Sequence, residues 1–125
     1  MWRGSLKRIP LASSGSISIT VDHRGSDVLV CLNGRIDVDS SPDLRDRLSA
    51  ILTERSLHRA ITVDLAGVSY IETSGIATLI EALRIARHRK TTLCLQGLTG
   101  SALRLFEVTG ALALFETSDC GQKVF

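Results

Sequence analysis

Aromatic side chains are scarce in this chain: Trp2, Tyr70, Phe106, Phe115 and Phe125 are all that 125 residues contain. With 44% of residues hydrophobic, an interior has to be built from Leu, Ile, Val and Ala, and one domain of this length can bury a real core. Cysteine is sparse as well. Cys31, Cys94 and Cys120 are odd in number, far apart and free of any C-x-x-C pairing, which argues against a disulfide framework and for buried, reduced thiols. A formal net charge of +2 is too small for the basic stripe that nucleic acid demands. No run approaches the roughly 18 apolar residues of a membrane span. Arg3, Lys7 and Arg8 are not followed by the apolar stretch of about 7–15 residues that a secretory signal needs, so a cytoplasmic location is expected. Three chemistries lack their motifs. No G-x-x-x-x-G-K-[ST] is present to bind nucleotide. His23, His58 and His88 miss the H-x₃₋₅-H spacing of a zinc site, and no G-x-S-x-G elbow surrounds a serine. No cofactor and no metal are expected.

What is present reads as alternating strands and helices. Residues 1–15 lack periodicity and are expected to be a flexible tail, although Trp2, Leu6 and Ile9 among cations leave a weak membrane- or partner-binding arm open. Ile17, Ile19 and Val21 alternate with polar residues, the pattern of a strand with one wet face. His23 to Ser26 is turn material, and Val28 to Leu32 is a second strand, forming an antiparallel hairpin with the first at the sheet edge. Ser40-Ser41-Pro42 starts a helix with a hydroxyl cap, carried by Leu44, Leu48, Ile51 and Leu52 and ending near Arg55. Ala60 to Leu65 is an interior strand. A second helix follows with Ile76, Leu79, Ile80, Leu83 and Ala86 on one face, and Arg84 to Lys90 cluster toward its end, where cations suit the dipole. That cluster reads as a solvated helix end or as a dock for acidic surface. Thr92 to Leu95 is a fourth strand, a third helix capped by Thr99 or Ser101 ends at Gly110, and Ala111 to Phe115 is a fifth strand. The expected fold is a single α/β domain over 16–117: a mixed sheet of about five strands, parallel in its later part, with three main helices and a tail at 118–125. Strand C-termini and helix N-termini then share one edge, where ligands and chemistry collect in open α/β sheets.

Most of the information sits in Val63 to Leu79. An apolar strand is expected to run into a tight turn at Gly67, after which Thr73 and Ser74 fall where the second helix begins. Free N–H groups and the positive end of the helix dipole favour negative charge there, and phosphorylation adds about −1.5 to −2 charges. From spacing alone, Ser74 is a helix cap at least as readily as a phosphoacceptor.

The residues Asp64-Leu65-Ala66-Gly67-Val68-Ser69-Tyr70-Ile71, then Glu72, Thr73 and Ser74-Gly75-Ile76, resemble the signature of STAS domains, above all the bacterial anti-sigma factor antagonists. Asn33-Gly34-Arg35-Ile36-Asp37 is similar to the family's G-x-hydrophobic-Asp turn, and Gly97 to Phe115 to its last strand, helix and strand. Glu72 stands where many members have Asp and Thr73 where many have Ser. The resemblance implies a non-enzymatic protein–protein switch: Ser74 would be phosphorylated by an anti-sigma factor that is itself a serine kinase of the ATPase type, and a serine phosphatase would reverse this. Unmodified protein would bind that factor through Gly34, Arg35, Asp37, Glu72, Thr73, Ser74, Gly75 and Thr78. Nucleotide would enter through the partner, and oligomeric state is left open.

Rival readings exist for the same residues. Thr73 is a competing acceptor or a hydroxyl bonded to nearby backbone. Asp37, Asp39 and Asp64 look like a phospho-receiver's acidic pocket, but Asp22 stands alone at the end of the first strand and no Lys closes a late one. Asp37 is therefore read as a turn residue and Asp64 as support for the Gly67 turn. Ser74 could serve a hydrolase only with a base in reach, and His58 falls at the opposite sheet edge. A STAS domain without phosphorelay, a small subunit of a lipid-transport or stress-signalling assembly, keeps the fold and uses both hydroxyls for capping and contact.

Overall fold

The computed structural model describes residues 17–54 and 60–116. Its elements, in chain order, are β1 (Ile17–Arg24), β2 (Asp27–Ile36), α1 (Ser41–Leu52), β3 (Ala60–Ile71), α2 (Thr73–His88), β4 (Thr92–Gln96), α3 (Gly100–Thr109) and α4 (Ala111–Glu116). The sheet has the order β1-β2-β3-β4, with β1 antiparallel to β2 and the other neighbours parallel. The α/β class, the hairpin, the edge position of β1 and the parallel later part all stand. The tails expected at 1–15 and 118–125, together with Arg55, His58 and Cys120, lie outside the described residues.

The core forms because apolar residues repeat at period two in the strands and about 3.6 in the helices. Val28, Val30 and Leu32 of β2, Ile61, Val63 and Leu65 of β3, and Leu93 and Leu95 of β4 present one buried row each. Leu44, Leu48, Ile51 and Leu52 of α1 and Ile76, Leu79, Leu83 and Ala86 of α2 join them in one cluster. Cys31 and Cys94, expected to be buried, alternate with these rows and are half-buried on the other sheet face, in no disulfide among the described residues. Burial, with the Asp64 carboxylate adding to it, pushes the Cys31 thiol up.

Three local expectations are corrected. Residues 111–115 form α4 and not a fifth strand. Ala111 and Phe115 are both buried and sit one helical turn apart, whereas a strand would also turn Ala113 inward, and Ala113 is exposed. Phe115 meets Phe106 of α3 edge-on, with ring centroids 6.1 Å apart. Gly110 does end α3, in the left-handed region at φ 80°, and this turn points the chain into α4.

No turn interrupts the chain at Gly67. β3 continues to Ile71, because β2 also continues, to Ile36, and the two pair with irregular register through Asn33↔Gly67, Gly34↔Val68 and Arg35↔Tyr70. A Cβ on Gly67 would displace the exposed Asn33 side chain and fall 3.0 Å from Leu32 O. Gly34, expected in a turn, lies inside β2 with φ 108°, a backbone region that favours glycine.

Finally, α1 ends at Leu52 rather than Arg55. The cations toward the end of α2 reach α4 and the segment after α1: Arg87 Nη2 donates to Leu114 O at 3.2 Å and Arg89 Nη2 to Glu54 O at 3.2 Å.

Candidate functional site

β2 and β3 run parallel, so the starts of α1 and α2 come out on one rim. The link between their strands is the bond from Glu72 N to Ile36 O, at 2.9 Å. At the start of α1, Asp37 builds a turn. Its Oδ1 accepts from Ser40 N at 3.0 Å and Asp39 N at 3.1 Å, with Ser40 Oγ 3.2 Å away. The Ser40 N–H bond, foremost, holds the Asp37 carboxyl below its usual range against the opposing effect of desolvation, and the Arg35 guanidinium contributes least. Ser40 was expected to cap α1, but it makes no side-chain cap bond. It is fully buried, donates to Arg35 O at 2.8 Å and accepts from Asp37 N at 2.9 Å.

At the start of α2, Glu72 occupies the N-cap position without a side-chain cap bond, Thr73 is the first helical residue and Ser74 the second. Ser74 as the cap of this helix is therefore overturned. Thr73 is exposed and Ser74 half-buried. Gly75 N and Ile76 N both donate to Glu72 O, at 2.9 and 3.2 Å. Among the described residues, Thr73 N and Ser74 N have no acceptor, which leaves two donors at the positive end of the helix.

The Ser74 hydroxyl meets Ser41 Oγ at 3.2 Å, and Ser41 Oγ donates to Asp37 O at 2.7 Å. Among the described residues no histidine or carboxylate hydrogen-bonds Ser74; His58, the base weighed for a hydrolase, lies outside them.

Around this pair lies a polar, partly aromatic surface. Arg35 stacks over the Tyr70 ring with Cζ 4.3 Å from the centroid, and its Nε lies 3.8 Å from Asp37 Oδ2. Tyr70 Oη donates to Glu72 Oε2 at 3.1 Å, which raises the phenol's pKa, the Glu72 charge adding to the effect. Ser69 Oγ donates to Gly34 O at 3.3 Å. Val38 is 59% exposed and Tyr70 36%, so two large side chains face outward on the same rim.

Of the residues expected at the site, the fold brings together Gly34, Arg35, Asp37, Glu72, Thr73 and Ser74. Gly75 and Thr78 are there too, both buried. A Cβ on Gly75 would fall 2.4 Å from Ile36 Cγ2 and 2.9 Å from Ile71 Cγ1. Thr78 Oγ1 donates to Ser74 O at 3.0 Å. Asp64 is remote from this surface in its bonding: it accepts from Ala66 N at 2.9 Å and from Gln96 Nε2 at 3.2 Å, tying β3 to β4. Sequence reasoning missed Ser41, Val38 and Tyr70 as site members. Nothing local marks Ser41, whose partner Ser74 is 33 positions away. An apolar Val38 between two aspartates was a signal that could have been used.

A mixed four-stranded sheet with helix starts gathered at one rim around a Ser-Gly pair defines a STAS-type domain. A family model described as "Mlab, STAS domain" matches residues 19–115, and the chain belongs to the STAS domain family. Among curated proteins, the anti-sigma-B factor antagonist of Listeria monocytogenes is 29% identical over 102 residues, covering 81% of this chain and 88% of that one. Among solved structures, an anti-sigma factor antagonist from Mycobacterium paratuberculosis superposes with a TM-score of 0.67 at 21% identity, covering 84% of this chain and 87% of that one. The anti-sigma factor antagonist SpoIIAA in its unphosphorylated form gives 0.67 at 15% identity, covering 78% and 84%. Its phosphorylated form gives 0.62 at 15% identity, covering 78% and 86%. At these identities the structural likeness speaks for the fold alone.

Proposed function

We propose that this protein is an anti-sigma factor antagonist whose binding surface is the rim around Ser74, switched off by phosphorylation of that residue. The observation that carries this reading is the Ser74 hydroxyl at the second position of α2, half-buried at a rim with two free N–H donors and with Val38 and Tyr70 exposed nearby. The names of the relatives supply the class of partner, an anti-sigma factor; that this factor is a serine kinase of the ATPase type is part of the proposal and comes from the sequence resemblance.

Unmodified, the rim offers a neutral hydroxyl, an apolar Val38 and the Arg35–Tyr70 stack to a docking protein. In the transfer, the Ser74 Oγ–P bond forms as the bond from the γ-phosphorus of ATP to the β–γ bridging oxygen breaks. ADP leaves, and the hydroxyl proton passes to a base on the partner. The product is a near-dianion beside Glu72, and burying it against an interface built for a hydroxyl costs more than the interface returns unless cations meet it. The partner then leaves, and a serine phosphatase restores the binding form.

The test uses the cognate ATPase, ATP and site-resolved mass spectrometry with a binding assay. Phosphate should appear on Ser74, Ser74→Ala should stay bound in the presence of ATP, and Ser74→Asp should bind at least about tenfold more weakly, or 1.4 kcal/mol. Equal affinity of modified and unmodified protein overturns the switch. A second reading rests on the exposure order, with Thr73 outside and Ser74 half-buried: a STAS subunit that uses the same rim for contact without a phosphorelay. A stable complex in ATP with neither hydroxyl modified selects that reading.

A further inference from the structure

We infer that Ser41 is a positioning residue for Ser74, orienting its hydroxyl in the free protein and carrying its covalent state to the loop at 37–40. The modification itself belongs to the function proposed above; the Ser41 role is a separate claim about this chain's hydrogen bonds.

A serine hydroxyl has one proton and two acceptor sites. Two acceptors lie near the single Ser41 proton: Asp37 O at 2.7 Å and Ser74 Oγ at 3.2 Å. The first distance is at the most populated value for O–H···O bonds and the second is beyond their usual range. The Ser41 proton therefore rests on the Asp37 carbonyl, and the serine–serine contact, equally long whichever hydroxyl donates, is left to the Ser74 proton with Ser41 Oγ accepting. Ser41 is only 7% exposed, so water does not compete well for its lone pairs. With its proton held by Ser41, the half-buried Ser74 oxygen keeps its lone pairs for an incoming phosphorus. Thr73 has no such anchor: among the described residues its hydroxyl makes no hydrogen bond. Positioning by Ser41 thus gives a physical reason for Ser74 over its exposed neighbour.

Phosphorylation inverts the pair. An ester oxygen has no proton, so the contact survives only if Ser41 turns its own proton from Asp37 O to the ester or a phosphoryl oxygen. The Asp37 carbonyl then keeps a single partner, Ser41 N at 2.9 Å. Asp37 also holds the turn that displays Val38. One proton therefore connects the modified oxygen with an exposed contact residue on the neighbouring helix start.

The first arm needs no kinase. Protein carrying phosphoserine at 74 by semisynthesis is compared with unmodified protein by amide NMR, each with Ser41 and with Ser41→Ala. Phosphoserine should shift the Val38, Asp39 and Ser41 amides in the Ser41 protein, and these shifts should vanish in Ser41→Ala; identical shifts in both overturn the relay. The second arm uses the cognate kinase. Ser41→Ala should lower kcat about fivefold, the worth of one neutral hydrogen bond, with KM unchanged and with more phosphate on Thr73, and Ser41→Thr should restore both. An unchanged kcat and site ratio overturns the positioning. A wild-type chain that accepts no phosphate sinks the proposed switch, while the NMR arm still decides the role of Ser41.

Discussion

Ser40 and Ser41 open α1, and Thr73 and Ser74 open α2, on the same rim and with the same kind of side chain. At α1 both residues are buried, and their hydroxyls donate to Arg35 O and Asp37 O. At α2 one hydroxyl is exposed and the other half-buried, and the two backbone N–H groups lack acceptors within the described chain. The difference comes from what precedes each helix. Before α1 the chain makes a four-residue turn closed on Asp37, which folds the serines inward. Before α2 there is no turn: β3 runs straight to Ile71, one residue from the helix. A hydroxyl pair at a helix start is thus an internal brace or a reactive surface according to the backbone leading into it.

The strongest way to break this contrast is Gly75→Ala. Alanine favours a helix interior by about 1 kcal/mol, but its Cβ would meet Ile36 and Ile71, buried and stiff at χ1. The clash should win, with a net loss of about 2 to 3 kcal/mol in urea denaturation and displacement of the α2 start.

Ser40→Ala should come next. It takes the partner from the part-buried Arg35 carbonyl and Asp37 N–H, with an expected cost of about 1 to 2 kcal/mol, whereas Thr73→Ala should stay within about 0.5 kcal/mol. Equal effects on the denaturation midpoints would remove the distinction between brace and surface.

The smallest effect sharpens the brace itself. The carboxyl of Asp37 is depressed by the Ser40 N–H in the folded state, so its contribution to stability is present above the unfolded value of about 3.9 and is lost as pH falls through the lower, folded pKa. A ¹³C carboxyl titration should place the Asp37 midpoint below 3.9. Arg35→Ala should move it little, because the guanidinium is the weakest of the contributors.

The helical faces of α1 and α2, the β1–β2 hairpin and the Gly110 stop could be read from residue order, because each depends on neighbours within a few positions. So could the Thr73-Ser74-Gly75 segment as a helix start at a rim. The run 111–115 could not: five apolar residues satisfy both periods, and Phe106 arbitrates from the preceding helix. Gly67 looked like a turn because glycine marks turns locally. It lies instead inside β3, paired with Asn33 of the adjoining strand.

Apolar periodicity and turn chemistry are short-range properties, and they carried the α/β class, the element order and the place of Ser74 at the start of α2. Why Gly75 has no side chain and which residue faces the Ser74 hydroxyl depend on residues brought together across more than thirty positions. Only the closing of β2 against β3 creates those neighbours, since the free energy of each contact exists once both partners have been placed.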